Sequence, residues 1–267
     1  MLLAIELDNS EICFGLFEHG DDYGLILSFK ISADIKKTTD EYSVTVASLF
    51  DFYKVRCQDI NGAIISSVVP QLTEVIFDMV KRLVGVEPLV VGKGIKTGFP
   101  IKIDNPSELG ADLVANAAAA VDLIKKEHVH KKPCIIIDMG TATTIFAINA
   151  NGEYIGGSIF SGVGMALDAL HGMTAQLPTV SPITPTRAIG KNSQDCVRSG
   201  VILGNAMMID GFVDRFSKEM KCEGNVEIFI TGEYARTVIE SCSHSMRYIP
   251  HLTLIGLDCI YKNNIDI

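Results

Sequence analysis

The sequence predicts an α/β protein assembled from two similar halves, and three observations carry that prediction. Residues 1–31 read as three strands, LLAIEL, ICFGLF and LILSFK, parted by the turn-forming runs DNSE and EHGDDYG. The same plan recurs later in CIIIDMG, TTIFAIN and EYIGGSIF, with Asp-Met-Gly-Thr at the first turn and Asn-Gly at the second. After each set, stretches with helical periodicity alternate with short β-branched runs, the pattern of strands covered by helices.

Taken in order, a helix is expected from Thr39 to about Tyr53, where Val44, Ala47, Leu49 and Phe50 fall near helical spacing and Thr39 or Asp40 can cap the start. GAIISSVV then reads as a strand buried on both faces, Leu72 to Leu83 as a helix and PLVVG as a further strand. The loop GKGIKTGFPIKIDNPSEL leads into an Ala-rich helix from about Gly110 to Glu127. In the second half, helices are expected over Ser161 to Gln176 and Ser193 to Lys218, then the strand VEIFITG and a last helix near Leu252 to Tyr261. The Pro-rich segment LPTVSPITPTRAIGKN must be pinned by contacts rather than by regular hydrogen bonds.

With 267 residues, 48% of them hydrophobic, the chain can bury a full core. Its net charge of -9 and pI near 5.1 argue against nucleic acid or an anionic membrane surface as partner, since both select a basic face. Seven scattered cysteines without a C-x-x-C indicate reduced thiols rather than a disulfide framework or zinc site. Glu6 and Asp8 interrupt the apolar N-terminus before a signal-peptide core could form, and no uninterrupted apolar stretch reaches about 18 residues. A cytoplasmic protein with no membrane partner is the expectation. His128 and His130, beside Lys131 and Lys132, read as solvated surface rather than a metal site.

The two hairpins LLAIELDNSEICFGLF and CIIIDMGTATTIFAIN each set a carboxylate near the end of the first strand, Glu6 and Asp138, followed by small polar residues. Turn amides and hydroxyls donate to phosphate oxygens, and carboxylates hold the cation that neutralises them. Asn9, Ser10, Thr141 and Thr143 are the candidate donors, with Glu6 and Asp138 near the cation. Surface hairpins use the same residues for local turn reasons, so this pattern alone leaves both readings open.

Several short segments in order resemble the type III pantothenate kinase family over essentially the whole chain: Glu6-Leu7-Asp8-Asn9-Ser10, IISSVVP, PLVVG, DNPSELGAD, DMGTATT, GGSI, TAQLP, IGKNSQD and LTLIGL. The resemblance implies the acetate and sugar kinase, Hsp70 and actin fold: two ribonuclease H-like domains, 1–113 and 114–267, with a nucleotide cleft between them. It implies ATP-dependent phosphorylation of the primary hydroxyl of pantothenate to 4'-phosphopantothenate, opening coenzyme A synthesis. A homodimer, Mg2+ and a monovalent cation, K+ or NH4+, belong to the same expectation.

Carried over residue by residue, the resemblance makes Asp112 the general base. It places Glu6, Asp8, Asn9, Ser10, Thr141 and Gly232 at ATP, and Asp138 with Glu6 at the metal. Ile103, Gly110, Ala111, Leu113, Gly157 and Ser193 fall to pantothenate. Several of these positions have a plainer role as well. Asp112 suits a helix N-terminus, Ser193 can be an N-cap, and Gly156-Gly157 can form a bulge. The sequence departs from the family's pattern at Glu6 and Ile103, where Asp and Tyr are usual, and at Asp8 and Glu233, where Gly is usual. Leu113 replaces an Arg and His251 an Asp. Losing that Arg removes a bidentate partner for a carboxylate. These departures admit a second reading, a homologue with impaired catalysis or an altered substrate, acting in binding or regulation.

Overall fold

The computed structural model describes residues 1–18, 24–127 and 132–265, so His128 and His130 lie outside the described residues. The chain divides into two units. Unit 1 comprises Met1–Phe99, Asn105–Asp122 and Leu252–Ile267, and unit 2 comprises Pro100–Asp104 and Leu123–His251.

Unit 1 is built on β1 (Leu2–Leu7), β2 (Glu11–Phe17), β3 (Leu25–Ser32), β4 (Gly62–Ser67) and β5 (Leu89–Val90). They lie in the order β3-β2-β1-β4-β5, the first three antiparallel and the last two parallel to β1. Alternation along β1 and β2 sends Leu3, Ile5, Leu7, Phe14 and Leu16 into one core with α1 (Thr39–Phe52) and α2 (Pro70–Leu83). The cap of α1 is Thr38, one residue before the expected start. Its hydroxyl accepts from Glu41 N at 3.3 Å while the Glu41 carboxylate accepts from Thr38 N at 2.8 Å, a reciprocal capping box. Pro70 opens α2 two residues before the expected Leu72, because a first-turn position needs no N–H.

The opposite face of the sheet receives α7 (Leu252–Asn264), and glycines make that approach possible. A Cβ on Gly15 would stand 2.9 Å from Leu254 Cδ1, and one on Gly62 would run into the Tyr261 hydroxyl. α7 also meets α3 (Ala111–Glu127) backbone to backbone, since a Cβ on Gly256 would collide with the Ala115 carbonyl. Buried Thr253 donates to Asn116 Oδ1 at 3.0 Å across the same contact. These contacts explain why the division does not fall after residue 113: α3 stays with unit 1 as far as Asp122, and the C-terminal helix returns to it.

Unit 2 repeats the sheet. β6 (Cys134–Met139), β7 (Ala142–Ile148), β8 (Tyr154–Ser161), β9 (Glu227–Thr231) and β10 (Arg247–Tyr248) lie in the order β8-β7-β6-β9-β10, with the same sequence of antiparallel and parallel pairings. Its core joins Ile135, Ile137 and Ile145 to α4 (Val163–Gly172), α5 (Ser193–Glu219) and α6 (Ala235–Ile239). α5 is long and apolar enough to cross a membrane by length and composition, but Val197, Val201, Ile202, Ala206, Ile209 and Val213 bury one side of it in that core. The helix expected from Ser161 begins at Val163, because Ser161 still pairs with Ala142 in β8.

Residues 173–192 carry no helix or strand and are pinned by side chains, with Thr184 Oγ1 donating to the Thr237 carbonyl at 3.0 Å and Ser199 Oγ to the Ala188 carbonyl. Two copies of one mixed sheet, each covered by helices, make the duplicated ribonuclease H-like architecture that the sequence predicts.

Candidate functional site

In unit 1, the β1–β2 turn closes through Asp8 N donating to the Glu11 carbonyl at 2.9 Å, leaving Asn9 and Ser10 exposed at its tip. Asp8 does not occupy the left-handed region, so Asp is accommodated there without backbone strain. Glu6 is the half-buried fifth residue of β1, with Cys13 opposite on β2 and Ser66 opposite on β4, and Lys30 continues the row on β3. The Cys13 thiol is pushed up to about 12, first by burial and then by the Glu6 charge, so it stays protonated at neutral pH.

Asp112 lies in the first turn of α3, half-buried, its carboxylate folded back so that a Cβ on Gly110 would collide with it. Burial raises its pKa. Hydrogen bonds from the Leu113 and Asp112 backbone oppose that rise, and the negative charge of Asp8 adds to it. The helix-terminus role does not exclude the base role at this carboxylate, since its backbone hydrogen bonds and its raised pKa occur together. Gly110, Ala111 and Leu113, its chain neighbours, lie with it in unit 1.

In unit 2, Asp138 is again the half-buried fifth residue of its strand, with Thr144 opposite on β7 and Thr231 opposite on β9. Thr141 sits half-buried in the turn. Thr143, expected as a phosphate donor, is instead fully buried on the face of β7 that carries Ile145, so it is not presented at the turn. The hydroxyls of Thr143 and Thr144 are both buried without a hydrogen-bond partner.

Three turns converge there. Gly232 has φ +97°, and a Cβ on it would stand 2.5 Å from Met139 N, while Tyr234 N donates to the Met139 carbonyl at 3.3 Å. Gly162 caps α4 so close to the β6–β7 turn that a Cβ would lie 2.5 Å from the Gly140 carbonyl, and no side chain caps that helix start. A Cβ on Gly164 would lie 2.7 Å from the Tyr234 hydroxyl. An uncapped helix N-terminus beside Thr141 and Gly140 suits an anion. Sequence reasoning placed a helix here but gave its start no role towards an anion, although Gly162-x-Gly164 directly after a strand is a visible signal.

Gly156 has φ +121° where the β7–β8 register shifts, and Gly157 lies so close to Phe146 that a Cβ would be 2.6 Å from Phe146 Cβ. Ile103 packs over Gly156, its strand-like segment held by Lys102 N donating to the Tyr154 carbonyl at 2.8 Å. Ile103, Gly157 and Ser193 belong to unit 2, the other three acceptor candidates and the base to unit 1. Ser193 is not the N-cap. Asn192 is, its Oδ1 accepting from Asp195 N at 2.9 Å, which leaves Ser193 exposed as the first helical residue. Glu233, exposed, keeps an ordinary φ after Gly232, whereas His251 stands in the left-handed region at φ +57°.

The sequence profile of type III pantothenate kinases matches residues 2–215. A type III pantothenate kinase from Moorella thermoacetica is 38% identical over 264 residues, covering 99% of this chain and all of the relative. Among solved structures, the Campylobacter jejuni protein named as a conserved Baf family transcriptional activator superposes with a TM-score of 0.60 at 17% identity, covering 98% of both chains. A protein named as a 2-dehydro-3-deoxygalactonokinase from Sinorhizobium meliloti gives 0.58 at 12% identity, over 100% of this chain and 98% of the other. These two share the fold, and the profile and the close relative go further: the chain belongs to the type III pantothenate kinase family.

Proposed function

We propose that this protein transfers the γ-phosphoryl group of ATP to the primary hydroxyl of pantothenate, with Asp112 as general base. The observation that carries the reading is the Asp112 carboxylate, held at a helix start by backbone N–H groups and made more basic by burial and by Asp8. Such a group accepts the hydroxyl proton as the oxygen attacks the γ-phosphorus and the bond to the ADP oxygen breaks. Unit 2 brings the α4 start, Thr141 and the Gly232 turn to the nucleotide.

The strand partners of Asp138, Thr144 and Thr231, both carry hydroxyls, a donor set that fits a hard cation. Among the described residues no group of three or more His, Cys, Asp or Glu could hold a metal, so Mg2+ would share its coordination with phosphate oxygens and water. Asp138 in unit 2 and Glu6 in unit 1 are the carboxylates that would hold cations, which when bound neutralise phosphate charge.

The homodimer is part of the proposal, supported by large apolar side chains exposed on unit 2, Met173, Ile183, Ile189 and Met207 among them. The seven free cysteines support a cytoplasmic setting.

ATP turnover by purified protein with Mg2+ and K+, with and without pantothenate, tests the reading beside Asp112→Asn. Pantothenate-dependent turnover that falls at least about 100-fold in the variant is expected. Absence of turnover from folded protein would return the weight to a binding or regulatory homologue. Leu113→Arg with Ile103→Tyr is expected to lower KM for pantothenate, and an unchanged or higher KM would remove the assigned role of those positions.

A further inference from the structure

One contact in unit 2 joins two of the turns assigned to the nucleotide and is accounted for by neither. The Tyr234 hydroxyl stands 2.7 Å from where a Cβ on Gly164 would be, and its Cζ 3.4 Å from the same point. The ring therefore lies against the first turn of α4, whose start has no side-chain cap and no acidic residue. From the other side, the backbone N–H of Tyr234 holds the Met139 carbonyl, and Gly232 packs on the Met139 backbone. Gly162 completes the set by packing on the Gly140 and Thr141 carbonyls.

One residue thus spans from the end of β6 to the helix start, and both flank the turn that carries Thr141. Only glycine at 164 leaves room for the hydroxyl. The hydroxyl thus rests against a helix start with no side-chain cap, where N–H groups attract anions.

We propose that Tyr234 is a positioning residue for the nucleotide phosphates, its hydroxyl setting the first turn of α4 against the 231–235 turn and the end of β6. The inference rests on the nucleotide reading of unit 2 and deepens it by naming what holds the phosphate-facing amides in place. It predicts a split between the two substrates. Loss of the hydroxyl loosens the helix start and weakens ATP, while the acceptor residues around Asp112 are untouched.

The test uses the full-length protein with Mg2+ and compares wild type, Tyr234→Phe and Gly164→Ala. Tyr234→Phe keeps the ring and removes only the hydroxyl; Gly164→Ala keeps the hydroxyl and displaces it. ATP and ADP binding by calorimetry, KM for ATP, KM for pantothenate and the thermal midpoint are measured for each. Both variants are expected to weaken nucleotide binding and raise KM for ATP by about 3–10-fold, the worth of one hydrogen bond, with KM for pantothenate and the thermal midpoint unmoved. Nucleotide binding equal to wild type in both variants overturns the proposal and leaves the kinase reading standing. Equal rises in both KM values with a lower thermal midpoint reduce Tyr234 to packing, which also overturns it. A wild-type protein that binds neither ATP nor ADP removes the nucleotide reading itself, and the proposal with it.

Discussion

Glu6 and Asp138 occupy the same place in their respective units, yet their neighbours differ in kind. Each is the fifth residue of a six-residue central strand, half-buried between buried neighbours, and the strands that follow also share one burial pattern. Around Asp138 the sheet sets Thr144 and Thr231, with Ile159 beyond. Around Glu6 it sets a protonated thiol, Cys13, and buried Ser66, with Lys30 beyond and paired to Glu11 at 2.6 Å. A repeated backbone therefore need not mean repeated chemistry: both strand partners of one carboxylate are hydroxyl residues, while a protonated thiol replaces one of them beside the other, with a lysine one strand further on.

That contrast makes its strongest prediction for cation dependence. If Asp138 holds the proposed cation, Asp138→Asn is expected to lower turnover by about 100-fold and to remove any stimulation by added K+, because the group removed is the charged member of a row whose nearest partners are hydroxyl residues. Glu6→Gln is expected to cost about 10-fold or less, since Lys30 already places positive charge in its row. Steady-state rates across a K+ titration decide it. A larger loss from Glu6→Gln would reverse the assignment.

The units also differ in how the chain leaves the strand beside the carboxylate. In unit 1, Ser67 does this with side-chain bonds, accepting from Val69 N at 3.1 Å and from Thr73 Oγ1 at 2.8 Å. The corresponding residue in unit 2 is Gly232, which relies on a left-handed φ and direct contact with Met139 backbone. Gly232→Ala should therefore destabilise by about 2–3 kcal/mol and Ser67→Ala by about 1 kcal/mol, read from denaturant midpoints. Equal costs would show that the Gly232 turn relaxes freely.

What the sequence made legible was whatever repeats along the chain. Strand alternation, the helical faces of α1 and α2 and the pairing of two hairpins follow from local pattern, and all are present in the structure. What stayed hidden depends on residues distant in sequence. Nothing in LTLIGL says that its glycine meets the Ala115 carbonyl, so the return of α7 to unit 1, and with it the division of the chain, was out of reach. Asp8 and Glu233 stand where the family usually has Gly, yet neither backbone needs a positive φ. Thr143 belonged to the right turn by sequence, but strand register points it into the core.

The smallest effect concerns what Asp8 does to Asp112. Burial raises the Asp112 pKa and the Asp8 charge raises it further, so ionised Asp112 is disfavoured in the folded protein. A base must be ionised to work, and turnover should fall as pH drops through a value above the ordinary carboxylate range. Asp8→Asn removes one negative charge, lowers the Asp112 pKa and moves the acid limb of kcat/KM to lower pH by a fraction of a unit, less in high salt. The same burial costs stability wherever Asp112 is charged in both folded and unfolded chains. Asp112→Asn should consequently melt higher than wild type at neutral pH, by up to about 3 °C, and the gap should close as pH falls towards about 4, where the unfolded carboxyl also takes up its proton. An acid limb that ignores Asp8→Asn while the melting gap persists would assign the raised pKa to burial alone, and the family's usual Gly at position 8 would then differ from Asp only in the charge that Asp brings to the β1–β2 turn.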